Sequence, residues 1–457
     1  MAFSVCACSN GNKKDSASVG EDVYVKIVDA GLSKEWLDDV ASAYYEETGI
    51  TVHVSAESGL AAKVLTDMNT PGSEKDDMYF VGQNMEKWIQ WTRNGLIESL
   101  DDVLSSDKYG TPANSRIVDS AILEMGKIGE HNYLSSYVHS AWGFVYNQAY
   151  LNKIESYGEY TKGEWPETVQ GLLDLCTAVN NAALVNNRTK RTVKPFSCGF
   201  TVNYMNWLFY GLWNELDSEG FNAYFNYNDQ NGGYPTDKLV TPATKQALET
   251  IYDLIDAKSD SDCNAVSWAQ KHTESQQSFV NGDCVFAFTG SWFGTEMKKI
   301  LSEVGLTDYH FGAYPVYNKG DKPTLMMNLP GETFFIPSEA QNKAGAKDFL
   351  AYVLSEKGVA VAERRLGFPM IYSTNENVTL SSFGNEISEV SEKANMAYVY
   401  SKNEVYRTGA LELFLAEPNP FIKIAKAQAS KDSLTSLLNN EAAYRDSKNW
   451  SDFMKRI

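Results

Sequence analysis

The side chains that carry metal or nucleophile chemistry are few in this sequence and poorly spaced for it. Its histidines are His53, His131, His139, His272 and His310, and none stands at a metal-ligand spacing from another or from a cysteine. Cys6 and Cys8 sit at the N-terminus, while Cys176, Cys198, Cys263 and Cys284 are spread through the interior, and no two form C-x-x-C. The interior four allow three disulfide pairings or none; free buried thiols are the expectation. H-E-x-x-H, G-x-S-x-G and a phosphate-cradling glycine loop are missing from the sequence. A carboxylate pair for glycoside hydrolysis is available among 59 acidic residues, but no spacing marks one pair above the rest. Arg364 and Arg365 are the only adjacent arginines, which argues against a cationic cradle for phosphate. The reading is therefore of a binding protein, with no metal and no cofactor. What the chain holds in excess is aromatic: 26 Tyr, 21 Phe and 10 Trp, enough to fill a core and still leave a stacking surface for a flat ligand. One dense run, Asn203 to Trp213, carries Tyr204, Asn206 and Trp207.

Those side chains need a frame. A chain of 457 residues is too long for one hydrophobic core and predicts two to three domains. The excess of 59 acidic over 40 basic residues, a net −19, disfavours nucleic acid, whose phosphates demand a basic footprint, and disfavours docking on anionic lipid. Val23 to Val28 alternates as a strand. Ser33 then caps a predicted helix with Trp36, Leu37, Val40 and Tyr44 on one face, stopped at Gly49. Ile50 to Val54 alternates again, a helix follows over Leu60 to Asn69, Pro71-Gly72 turns, and Met78 to Val81 is a short apolar strand. This β-α-β-α-β rhythm predicts parallel strands with crossover helices in an α/β layered domain. Ligands of such sheets bind beyond the carboxyl ends of the strands. That points to Glu57, Ser58 and Gly59 after one strand, and to Gly82, Gln83 and Asn84 after the next.

From Tyr137 onward a second region begins. Phe144 to Tyr146 reads as a strand, and Pro166 is expected in the first turn of a helix with Val169, Leu172, Leu173, Cys176 and Val179 along one stripe. Thr241-Pro242 opens another helix, carrying Leu248, Ile251, Tyr252 and Ile255. Asn228 to Pro235 is a turn-rich loop. Asn342 is expected to cap a helix that runs to Gly358 with Ala346, Phe349, Leu350, Val353 and Leu354 inward. At the N-terminus, Val5-Cys6-Ala7-Cys8 resembles a bacterial lipobox, which would make Cys8 the lipidated residue and the small, polar stretch Ser9 to Gly20 a flexible tether. No other stretch approaches the run of about 20 apolar residues that a membrane span needs.

Four passages, in one order along the chain, carry a family likeness. They are Ala141-Trp142-Gly143-Phe144-Val145-Tyr146-Asn147 with Gly163-Glu164-Trp165-Pro166; Phe279-Val280-Asn281-Gly282-Asp283 through Gly290-Ser291-Trp292; Leu329-Pro330-Gly331-Glu332-Thr333-Phe334-Phe335; and Leu366-Gly367-Phe368-Pro369. Together they resemble the family 1 extracellular solute-binding proteins of carbohydrate ABC importers. The resemblance implies a periplasmic-binding-protein-like α/β fold, two α/β lobes joined by a hinge with a ligand cleft between. After a tether over 1–21, one lobe would comprise 22–138 plus 327–372, and the other 139–326 plus 373–457. It also implies a function: capture of a carbohydrate, an oligosaccharide by the aromatic load, and delivery to ABC permease subunits by a monomer held to the membrane only through a lipid anchor. A binding protein for a peptide or other small solute, or a surface sugar-binding module outside transport, is the alternative. A sugar ring asks for aromatic platforms and planar polar side chains. By family position Trp292 is the first platform, Trp142 lies at a hinge crossing, and Tyr204, Asn206 and Trp207 lie at the second-lobe rim. Gln83, Asn84, Ser58 and Glu332 are the polar candidates.

Overall fold

The structure, a computed structural model, describes residues 21–29, 31–70, 72, 75–81, 87–225, 236–259, 261–327, 332–399, 413–414 and 419–447. Cys8, Gln83, Asn84, the Asn228 to Pro235 loop and the Leu329-Pro330-Gly331 passage lie outside the described residues.

The alternating stretch at the start of the chain forms the strand Val23–Val28, buried at every second position, as a sheet with one packed face requires. It pairs in parallel with Val52–Glu57 on one side and Met78–Val81 on the other. The helix Glu35–Thr48 makes the crossover between the first two, burying Trp36, Leu37, Val40 and Tyr44, and Gly49 closes it in the left-handed conformation at φ 74°. Ser33 does not cap this helix. It takes φ 57° itself, and Lys34 holds the cap position without a side-chain hydrogen bond. Two antiparallel strands complete this sheet: Thr333–Phe335 against Met78–Val81, and Ser135–Ser136 at the edge.

The second sheet has six strands. Ala141–Asn147 is central, paired with Cys284–Gly290 on one side and with Tyr309–Gly312 and Thr324–Met327 on the other. Lys194–Ser197 and Asn395–Tyr398 lie at its two edges. The helices Val169–Ala182, Tyr204–Leu216 and Pro242–Ile255 enclose its second core, rich in Phe, Tyr and Trp. The two expected caps at Thr241 and Asn342 form as read, each side chain accepting from the backbone N–H three residues on.

The strand read over Ile50 to Val54 forms over Val52–Glu57, and two helix boundaries also differ from the sequence reading. The helix expected from Pro166 starts at Val169, capped by Thr168, and the one expected to reach Gly358 ends at Val353, with a new helix, Glu356–Leu366, capped by Ser355. The four interior cysteines are buried and unpaired. Among the described residues no helix is long and apolar enough to cross a membrane.

The chain passes between the sheets three times: between Ser136 and Ala141, between Met327 and Thr333, and from Pro369 on the way to Asn395. The first and third passages run side by side, Ile371 N–H donating to Tyr137 O and His139 N–H to Pro369 O, both at 3.3 Å. One buried cluster bridges the two sheets here, joining Trp36, Phe80 and Tyr137 to Phe279, Ala287 and Phe293. The fold is therefore two α/β layers hinged through a ribbon, with a cleft at the hinge.

Candidate functional site

The cleft is built around the turn Gly290-Ser291-Trp292, and each residue of that turn has a separate physical job. Ser291 Oγ accepts from Ala141 N–H at 3.1 Å and donates to His139 O at 3.2 Å, so the turn is tied to the first hinge crossing. At Gly290 an added Cβ would lie 2.2 Å from Cζ3 of Trp292, so only glycine lets the indole fold back over this backbone. Trp292 is half-buried, and its described ring neighbours, Trp142 at 4.7 Å and Tyr204 at 6.5 Å, both meet it edge to face. These contacts fix the orientation of Trp292, which stays partly exposed.

Trp142 has the same side chain and a different role. It is 1% exposed, with Trp207 parallel on one side at 5.2 Å and Phe288 parallel on the other at 5.8 Å. Tyr204 abuts it at 88°. Trp142 is thus the keystone that aligns Trp292, Tyr204 and Trp207, and no ring face of its own is left for stacking. Trp207 is half-buried, anchored by its carbonyl, which accepts from Tyr314 Oη at 2.8 Å. Tyr204 is buried and its hydroxyl is pushed well above the ordinary phenol range, first by loss of hydration and then by the charge of Glu296. Asn206, expected at the rim, is turned inward: its amide donates to Leu413 O at 2.6 Å and pins a distant segment to this helix. Four of the expected residues are therefore brought into one cluster, and Asn206 is spent on structure.

On the opposing sheet, Ser58 sits where the parallel-strand rule put it, beyond the carboxyl end of Val52–Glu57, donating to Asp29 Oδ2 at 3.2 Å. Glu332 precedes Thr333–Phe335 and accepts from Tyr137 Oη at 3.1 Å, while Tyr137 stacks on Trp36 at 5.1 Å. Burial pushes the Glu332 carboxyl up to about 7; the Tyr137 hydroxyl opposes that rise and the charge of Glu296 adds to it.

Glu296 is the cleft residue that sequence reading missed. Its N–H donates to Trp292 O at 2.9 Å, so it stands one helical turn beyond the platform, and a Cβ on Gly31 of the opposing sheet would lie 3.3 Å from its Cβ. Its Oε1 is 3.7 Å from His272 Nε2, and its buried Oε2 has no hydrogen-bond partner. The i,i+4 spacing from Trp292 was the available signal. Other buried polar atoms linked to this region are also unpartnered: Nε1 of Trp36 and Trp142, Nδ1 of His139 and Oε1 of Gln276. Burial lowers the His139 imidazole to about 4, so it is neutral. The Gln276 amide nitrogen donates to Thr289 Oγ1 at 3.0 Å, leaving its carbonyl free. Each such group costs about 1–3 kcal/mol until a partner arrives, which suits a site meant to receive a polar ligand. A separate cavity of about 450 Å³, lined by Tyr24, Lys26, Lys63 and Asp76, lies at the opposite ends of the strands. Its lysines already pair with carboxylates, Lys26 with Asp76 and Lys63 with Asp67, and it is no rival to the cleft. No group of three metal-ligating side chains occurs among the described residues.

The fold and its cleft can be set beside known proteins. Over 76 residues the chain is 34% identical to the diacetylchitobiose binding protein NgcE of Streptomyces coelicolor; the aligned part spans 16% of this chain and 15% of that protein. Among solved structures, it is similar to apo RafE from Streptococcus pneumoniae, with a TM-score of 0.66 and 14% identity, covering 94% of this chain and 100% of that one. RafE has also been solved with raffinose, where the TM-score is 0.64 at 15% identity over 93% of this chain and 100% of that one. The GacH receptor of Streptomyces glaucescens, solved unliganded and with acarbose, gives a TM-score of 0.64 at 15% identity, over 93% of this chain and 98% of that one. At such identities the likeness is one of fold. A family model described as bacterial extracellular solute-binding protein matches residues 39–382, and the chain belongs to that family.

Proposed function

We propose that this protein captures a carbohydrate, an oligosaccharide, in the cleft between its two sheets and passes it intact to the permease of an ABC importer. The observation that carries this reading is the Trp292 platform, half-buried, backed by Trp142 and bordered by buried polar atoms without partners. A pyranose offers a C–H face to such a ring and hydroxyls to such atoms. Sugar ligands of the similar proteins support the same class. Membership of an extracellular family puts the site outside the cytoplasm. Anchoring through a lipid on Cys8, the monomeric state and delivery to permease subunits are parts of the same proposal. Contacts to both lobes exist together only when the cleft is closed, so ligand shifts the population toward the closed form, which the permease then reads.

Thermal-shift screening against oligosaccharides, amino acids and peptides tests it, because a ligand of the folded state raises the unfolding temperature by mass action. A shift of several degrees with a narrow set of oligosaccharides, recovered intact by chromatography, is the expected result. A shift with peptides alone, or a sugar consumed on incubation, overturns it.

A further inference from the structure

Two contacts join the α/β layers on opposite flanks of the crossings. In the second sheet Cys284–Gly290, which leads into Trp292, lies on one side of the central strand Ala141–Asn147; Thr324–Met327 and then Asn395–Tyr398 lie on the other. On the first flank Glu296 meets the turn at Gly31, where an added Cβ would lie 3.3 Å from its Cβ and 3.5 Å from its Cδ. On the other flank Tyr398 Oη donates to Asp119 Oδ2 at 2.5 Å. Each end of that bond is already held by its own layer. Tyr398 closes its strand, paired with Met327. Asp119 Oδ1 accepts from Ala121 N–H at 2.8 Å at the start of the helix Ala121–Met125, which packs on Ser135–Ser136 of the first sheet. Beside it Val118 N–H donates to Ile371 O at 2.8 Å, and the Arg116 guanidinium donates to Thr111 O at 2.9 Å and to Ser373 O and Leu354 O. The Tyr398 bond therefore adds nothing to either layer's own frame and bears only on how one sits against the other. A hydroxyl on a carboxylate is of the stronger, charge-assisted kind, and a separation of about 1 Å is enough to lose it.

We propose that Asp119 and Tyr398 form a hinge latch, whose hydrogen bond holds the ligand-free protein in the arrangement that brings Gly31 against Glu296 and narrows the cleft. Both are positioning residues: neither belongs to the cleft around Trp292, and both act on it through the angle between the layers. The proposal rests on the carbohydrate reading above for what the cleft receives. A bond made in the closed form and lost in the open one raises the fraction of molecules ready to bind, and apparent affinity rises with that fraction.

Small-angle X-ray scattering of the ligand-free full chain tests this. The wild-type curve is expected to fit the arrangement in which Gly31 meets Glu296, and Tyr398→Phe, which removes only the hydroxyl, to give a larger radius of gyration. Asp119→Ser keeps an oxygen for Ala121 N–H but falls short of Tyr398, and is expected to expand the protein in the same way. A merely structural bond would lower the unfolding temperature and leave the scattering unchanged. In calorimetry with raffinose and diacetylchitobiose as probes, either variant is expected to bind at least about threefold more weakly than the wild type. A wild-type curve that fits only a wider cleft overturns the proposal, as do variant curves that superimpose on it, or a probe bound equally by all three proteins. If no sugar of these or of the thermal-shift panel binds, the carbohydrate reading falls and the scattering comparison alone decides the latch.

Discussion

Replacing Glu332 by Gln should stabilise the protein at neutral pH and leave it unchanged in acid. Burial lifts this carboxyl from its ordinary 4.5 to about 7, with repulsion from Glu296 adding to the shift. The native state therefore holds a proton that the unfolded chain has released between these values. Stability depends on pH as the difference in protons bound, unfolded minus native, and here that difference is negative. The contribution of Glu332 is thus intact below about pH 4.5, declines as pH rises to about 7, and is level above. The full shift corresponds to about 3 kcal/mol, an upper bound because the side chain is half-buried and reached by water. A glutamine keeps an acceptor for Tyr137 Oη, now 3.1 Å from the carboxylate, and carries no charge to desolvate. Unfolding midpoints of both proteins, measured across about pH 4.5 to 8, should coincide at the acid end and diverge by about 1–3 kcal/mol at the alkaline end, with the variant the more stable. Taking the difference between the two proteins removes every other titrating group. A difference that is constant with pH, or that grows toward acid, would refute the reasoning.

Trp292→Ala removes the half-buried ring proposed as the sugar platform, and ligand affinity should fall by about 100-fold or more in calorimetry, with the fold intact by circular dichroism. Gly290→Ala puts a methyl 2.2 Å from that ring; the indole must swing away, and affinity should fall roughly tenfold with a lower unfolding temperature. Asn206→Ala leaves Leu413 O without its 2.6 Å donor and should cost about 1–3 kcal/mol in denaturation while ligand affinity stays the same. A ligand role for Asn206 would show instead as weakened binding.

The amino-acid sequence by itself determined the features whose causes are local. The strands Val23–Val28 and Met78–Val81 follow from alternation or from a short apolar run bounded by turns, and the structure keeps their bounds. Thr241 and Asn342 cap as read because a cap is a hydrogen bond across three residues. The parallel pairing of the first three strands followed from the β-α-β-α-β rhythm with its crossover helices, and Gly290-Ser291-Trp292 was singled out by its resemblance to a family passage. Tertiary contacts decided the rest. Pro166 does not begin a helix, because Glu167 O accepts from Val316 N–H and Val169 N–H donates to Val316 O, holding that stretch extended until Thr168 caps. Gly358 does not end one, because Ser355 starts a new helix there and a Cβ at 358 would sit 2.1 Å from Tyr352 O. Trp142 and Trp292 are the same residue type at the same hinge, and the packing of Trp207 and Phe288 buries the first while the second stays half-buried. Glu296 had no meaning as one of 59 acidic residues. It acquires one when the fold sets it against Gly31 of the opposite sheet and buries its Oε2 without a partner, since burial and an unpaired oxygen are properties of surroundings that lie far away along the chain.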